Sequence, residues 1–126
     1  MNSQGTVTLD FPSINSDNQN LYSSNLPDYA IVPYWYNSKL DAGKPRGMFY
    51  TLTGPAGARV LTLEWVVNNQ FNSDEVTHFT VRLDEGNPGV FVYRYWVMSD
   101  ITLQGTVGAQ GGPNSTFSNA PVHEYY

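Results

Sequence analysis

The stretch Arg59-Val60-Leu61-Thr62-Leu63-Glu64-Trp65-Val66-Val67 decides the fold. Leu61, Leu63 and Trp65 alternate with Thr62 and Glu64, the period-two pattern of a strand with one face in a core and the other in water. Upstream, Gly47 to Thr53 also reads as a strand, and the four residues Gly54-Pro55-Ala56-Gly57 separate it from the first, so a β-hairpin is expected. Downstream, His78 to Leu83 alternates with Phe79, Val81 and Leu83 inward. The turn Asp84-Glu85-Gly86-Asn87-Pro88-Gly89 then leads into Val90 to Val97. There Phe91, Tyr93, Tyr95 and Val97 share one face and Val90, Val92, Arg94 and Trp96 the other. Bulk on both faces predicts a central strand covered on each side. Between these runs, Asn68 to Thr77 reads as a polar loop.

Outside this block, Thr6 to Phe11 is a first strand stopped by Pro12, and Ser13 to Asn25 is a polar loop. Ala30 to Val32 is a short apolar strand running into the aromatic cluster that ends at Asn37, and Thr106 to Gln110 is a last strand before Gly111-Gly112-Pro113. No stretch sustains a 3.6-residue apolar period. The expected fold class is therefore all-β, an antiparallel β-sandwich of about seven to nine short strands. One sheet takes the strands near 47–53, 59–67, 78–83 and 90–97; the second layer takes the N-terminal strand, the 30–35 segment and the 105–110 strand. Residues 1–126 read as a single sandwich domain, compatible with excision from a longer secreted or surface protein, with 112–126 as a tail or terminal strand.

With 11 acidic against 6 basic residues the chain carries a formal net charge of -5, which argues against nucleic acid or an anionic membrane as the partner. There is no cysteine, so neither disulfides nor thiolate metal chemistry are available. No apolar run approaches the roughly 18–20 residues of a membrane helix, so membrane insertion is not expected. Aromatic residues at 14% against charged residues at 13%, with many Asn, Thr and Gly, suit an extracellular all-β module better than a cytosolic enzyme.

Catalysis finds little support. His78 and His123 stand far apart, and no nucleophile-elbow, zincin, P-loop or dinucleotide pattern occurs. His78 reads as a half-buried structural residue. Glu64 with Asp84 or Glu85 is the one carboxylate pair to weigh for glycoside hydrolysis, although Glu64 is more simply a solvated residue or a cross-strand partner of Arg82 or Arg94. The loop Ser13 to Asn25, with Asp17, lacks the spaced ligands of a calcium hand, so neither metal nor cofactor is expected. Lys39 and Lys44 sit in a polar loop, which disfavours an intramolecular isopeptide bond, and Asn114-Ser115-Thr116 is a glycosylation sequon.

Binding is the better reading. Flat exposed aromatic rings beside amide and charged side chains suit sugar recognition, and the residues assigned to it are Trp35, Tyr36, Asn37, Arg94 and Trp96. Tyr22 and the Asn68-Asn69-Gln70 segment are further candidates; Trp65 belongs to the core.

Several segments together carry a family resemblance: Ile31-Val32-Pro33-Tyr34-Trp35; Gly47-Met48-Phe49-Tyr50 before a Gly-Pro turn; Glu64-Trp65; the run from His78 to Gly86; Phe91-Val92-Tyr93-Arg94-Tyr95; and the run from Gly105 to Gln110. In order and spacing, over roughly residues 6 to 111, they resemble the nidogen-like (NIDO-type) extracellular β module, in the versions found in secreted fungal and bacterial surface proteins. Where that pattern tends to place one or two acids after the tryptophan, this chain has Tyr36 and Asn37. The resemblance implies an extracellular sandwich attached to adhesins, matrix proteins or secreted hydrolases, usually without assigned catalysis. The expected function is noncatalytic recognition at a cell surface or matrix, with a glycan as ligand. A surface protein in structural adhesion is the alternative partner, and a hydrolase using paired carboxylates the third reading.

Overall fold

The alternating runs become strands: β1 (Val7–Thr8), β2 (Ala30–Trp35), β3 (Ser38–Lys39), β4 (Gly47–Thr53), β5 (Val60–Asn69), β6 (Val76–Asp84), β7 (Phe91–Met98) and β8 (Thr106–Gln110). The structure, a computed structural model, describes residues 1, 3, 5–8, 29–41, 43–69, 71–72, 74–98 and 105–110, with the side chains of Trp35, Thr106 and Gln110 outside that set. Among the described residues the fold is all-β with no helix, its eight strands in two antiparallel sheets, as a β-sandwich requires. The division into sheets follows the expected one. β1, β2 and β8 form one sheet in the order β1-β2-β8; the other runs β3-β5-β6-β7, with β4 also paired to β5. Two compact units result, residues 39–99 and residues 1–38 with 100–126.

In the smaller sheet β2 is the middle strand, pairing Ile31 with Val7 on one side and with Ala109 on the other. Its Pro33 has no N–H to give a ladder, and the register breaks between Val32 and Trp35, where the proline is accommodated. Val7, Ala30, Ile31 and Val32 are buried. A Cβ on Gly105 would run into the Tyr34 ring, so a side chain there would force that ring to move.

In the larger sheet the hairpin β4–β5 keeps a regular register from Gly47 opposite Val66 to Thr53 opposite Val60. β5–β6 continues it, with Leu63 opposite Val81 and Trp65 opposite Phe79. Leu63, Trp65, Val67, Phe79 and Val81 are buried on one face, and the Trp65 and Phe79 rings stack at 5.1 Å and 12°. Burying two large aromatic rings in that geometry contributes both hydrophobic area and ring–ring contact to this sheet.

Three expectations are corrected. The polar run after Val67 is not all loop: β5 continues to Asn69 and β6 begins at Val76, and Asn68 and Asn69 are buried. Their amide nitrogens donate to Glu75, whose carbonyl accepts from Asn68 Nδ2 at 3.2 Å and whose carboxylate accepts from Asn69 Nδ2 at 2.7 Å. Strand β7 is not central; it ends the sheet order, and most of its residues are exposed. Bulky side chains on both faces there do not mean cover on both faces. Val97 also changes side, because Phe79 pairs with Tyr95 but His78 pairs with Val97, leaving Trp96 as an extra residue in a β-bulge.

The tips of the two long hairpins are tied by one carboxylate. Glu85 Oε2 accepts from the backbone N–H of Gly57 at 2.8 Å and of Arg59 at 3.1 Å, and both Glu85 oxygens accept from the Arg59 guanidinium, at 2.9 and 2.7 Å. The Arg59 side chain first, then its backbone N–H, lower the Glu85 pKa from 4.5 to about 2. A carboxylate whose folded pKa is depressed contributes stability that is whole above its unfolded value and is lost as pH falls through the folded one. The gap in urea midpoint between the wild type and Glu85→Gln should thus be constant above about pH 5 and close steadily between there and pH 2. A gap indifferent to acid would remove the charged clip.

Candidate functional site

Regular pairing puts the even-numbered residues of β5 and β6 on the face opposite Trp65, and the register across the sheet builds rows there. One row is Phe49, Glu64, Thr80 and Arg94; the next is Gly47, Val66 and His78, with the β7 bulge beside His78. On this face His78 Nε2 lies 2.7 Å from Glu64 Oε1, both side chains part-exposed. The His78 ring stacks 6.0 Å from the Trp96 ring, and Arg94 Cζ sits 5.3 Å from the centre of the same indole. With both neighbours in place Trp96 is still 55% exposed, so it has surface left for a ligand. Phe49 is 50% exposed, and its ring folds back over Gly47, where a Cβ would lie 2.6 Å from Phe49 Cζ. Glycine at 47 is what lets that ring lie along the sheet.

The arrangement offers two exposed aromatic surfaces, a guanidinium, a carboxylate held by an imidazole, and the Thr80 hydroxyl within one face of one sheet. Such a face can bind a flat polar ligand by stacking and hydrogen bonds.

Of the residues assigned from sequence, Arg94 and Trp96 lie together here. Tyr36 and Asn37 belong to the other unit, where Tyr36 is buried at 5% exposure and Asn37 is half-buried with its Oδ1 shielded. Trp35 ends β2 opposite Thr106, its side chain outside the described residues. The Asn68 and Asn69 candidates are interior strand residues; Tyr22, Gln70, the Ser13 to Asn25 loop with Asp17, the Asn114 sequon, His123 and the 112–126 tail lie outside the described residues. Phe49 and the contact between Glu64 and His78 were missed as members of this site. Counting back across the four-residue turn places Phe49 opposite Glu64, so the register carried that signal.

The carboxylates weighed for hydrolysis are engaged separately. Asp84 accepts from Arg82 and from the Gly86 N–H, and Glu85 holds the hairpin tips. Asp84 pairs with Val60, four residues along β5 from Glu64 and about 13 Å away at strand rise. Glu64 leans the other way, toward His78. Paired carboxyl groups of glycosidases stand about 5–9.5 Å apart. Among the described residues no group of three or more His, Asp or Glu is placed to hold a metal ion.

On the opposite face, beyond Trp65, the row Leu52, Leu61, Leu83 and Phe91 crosses four strands near the end of the sheet. Leu52 is 57% exposed, and the row floors an open depression of about 290 Å³ rimmed by Pro88, Gly89 and Val90.

Among the described residues no helix is long and apolar enough to cross a membrane. No curated protein and no solved structure matches the chain significantly. A family model described as NIDO related matches residues 1–124, and with its two antiparallel sheets the chain belongs to that family of nidogen-like modules, which are typically extracellular.

Proposed function

We propose that this chain is a noncatalytic extracellular recognition module that binds glycan through the outer face of its larger sheet. The observation that carries the reading is the exposed Trp96 indole, flanked by Arg94 and His78 and sharing its face with the exposed Phe49. An indole left open beside charged hydrogen-bonding groups matches the two faces of a sugar ring, one apolar and one hydroxylated. Secretion accords with the family.

A glycan array probed with the wild type and with Trp96→Ala tests it. The wild type should bind a defined subset, and the substitution should weaken that binding about tenfold or more, the loss of roughly 1.4 kcal/mol of stacking and contact. Far-UV circular dichroism of the variant should be unchanged, since the replaced ring is on the surface. A wild type that binds no glycan, or a variant equal to it, would end the proposal.

Protein adhesion is the second reading, and the specific observation in its favour is the apolar row ending at Leu52 and Phe91. It predicts that Leu52→Asp, and not Trp96→Ala, abolishes attachment to a surface.

A further inference from the structure

We infer that the ligand of the Trp96 face is an acidic glycan, whose carboxylate or sulfate is taken by Arg94; this rests on the glycan reading and specifies it. The chain has 6 basic residues, and three of them are neutralised within the protein. Lys44 pairs with Asp74 at 2.6 Å, Arg59 with Glu85 at 2.7 Å and Arg82 with Asp84 at 3.2 Å. Lys39, Arg46 and Arg94 form no ion pair among the described residues, and of these three it is Arg94, exposed, whose guanidinium lies against an aromatic ring, that of Trp96.

The sheet could have neutralised it. Glu64 stands in the same row, with only Thr80 of β6 between them, yet its carboxylate goes to His78. A guanidinium held by an aromatic face keeps its N–H donors available, because the ring takes up the charge through its π-cloud and accepts no full hydrogen bond. Planar paired N–H groups match the two oxygens of a carboxylate or of a sulfate, which is the contact at which arginine exceeds lysine. Neutral sugar hydroxyls have no need of a permanent cation. In a chain of net charge -5, an unneutralised cation beside an open indole is a local exception, and the chemistry it serves is an anion fused to a stacking ring.

Titration calorimetry at two salt concentrations tests the inference with three acidic probes, a sialylated trisaccharide, a uronic-acid oligosaccharide and a sulfated oligosaccharide, and with the neutral counterpart of each. At least one acidic probe should bind about tenfold or more tightly than its neutral counterpart, and which one does separates the carboxylate source from the sulfate source. Arg94→Gln should remove that preference and most of the salt dependence, Arg94→Lys should restore it in part, and Arg82→Gln should leave it intact because Arg82 is already paired. Acidic and neutral probes bound alike, with affinity still lost in Trp96→Ala, would overturn the role of Arg94 while leaving glycan recognition standing. Absence of binding to every probe, together with a blank array, would overturn both.

Discussion

Trp65→Ala lowers the stability of the unit formed by residues 39–99 by about 3–5 kcal/mol. The indole is fully buried, stacks on Phe79, and stands opposite Met48 on one side and Phe79 on the other, so its removal leaves a hole that three strands share. Neighbours on paired strands cannot close such a hole without breaking register, so the lost transfer energy and the cavity term add. Urea unfolding followed by far-UV circular dichroism reads the change without depending on tryptophan fluorescence. Trp65→Phe, which keeps a ring against Phe79, should recover a large part of the loss. A loss below about 1 kcal/mol for alanine would place the centre of this sheet elsewhere.

Gly54→Ala is the second large effect, expected at about 2–3 kcal/mol. Gly54 has φ +89 at the start of the β4–β5 turn, where an L side chain is strained, and a Cβ there would run into the backbone carbonyl of Ala58. Backbone cannot swing aside as a side chain can, so the turn itself has to move. Gly57 supplies the control in the same loop. Its φ is +85, but a Cβ would meet nothing within 4 Å, so Gly57→Ala carries the strain alone, about 1 kcal/mol. The difference between the two midpoints measures the collision. Equal losses would show that the carbonyl gives way freely.

Alternation and turn spacing carry most of the sheet. The hairpin across Gly54 to Gly57 and the inward set Leu63, Trp65, Phe79 and Val81 follow from period and turn chemistry, and the expected grouping of strands into two sheets agrees with the one observed. Less local features did not. Asn68 and Asn69 look like loop residues because their composition is polar, and only the folded chain shows Glu75 meeting their amides. The bulge at Trp96 inserts one residue into a run whose alternation is unbroken in sequence, so Val97 was assigned to the wrong face. For the site, exposure of Trp96 could be read from parity, whereas Tyr36 carries the same chemical type and is buried. An aromatic side chain announces its size, and which side of a sheet receives it depends on partners distant in sequence.

Because Glu85 holds the amides at 57 and 59 while its own N–H reaches the Arg59 carbonyl at 2.8 Å, the two hairpin ends are fastened to each other as well as to their own strands. One inserted residue in either end would carry its half of the clasp out of reach. Related chains that keep this acid should therefore hold both loop lengths constant together, and those that have lost it should show both loops free to grow.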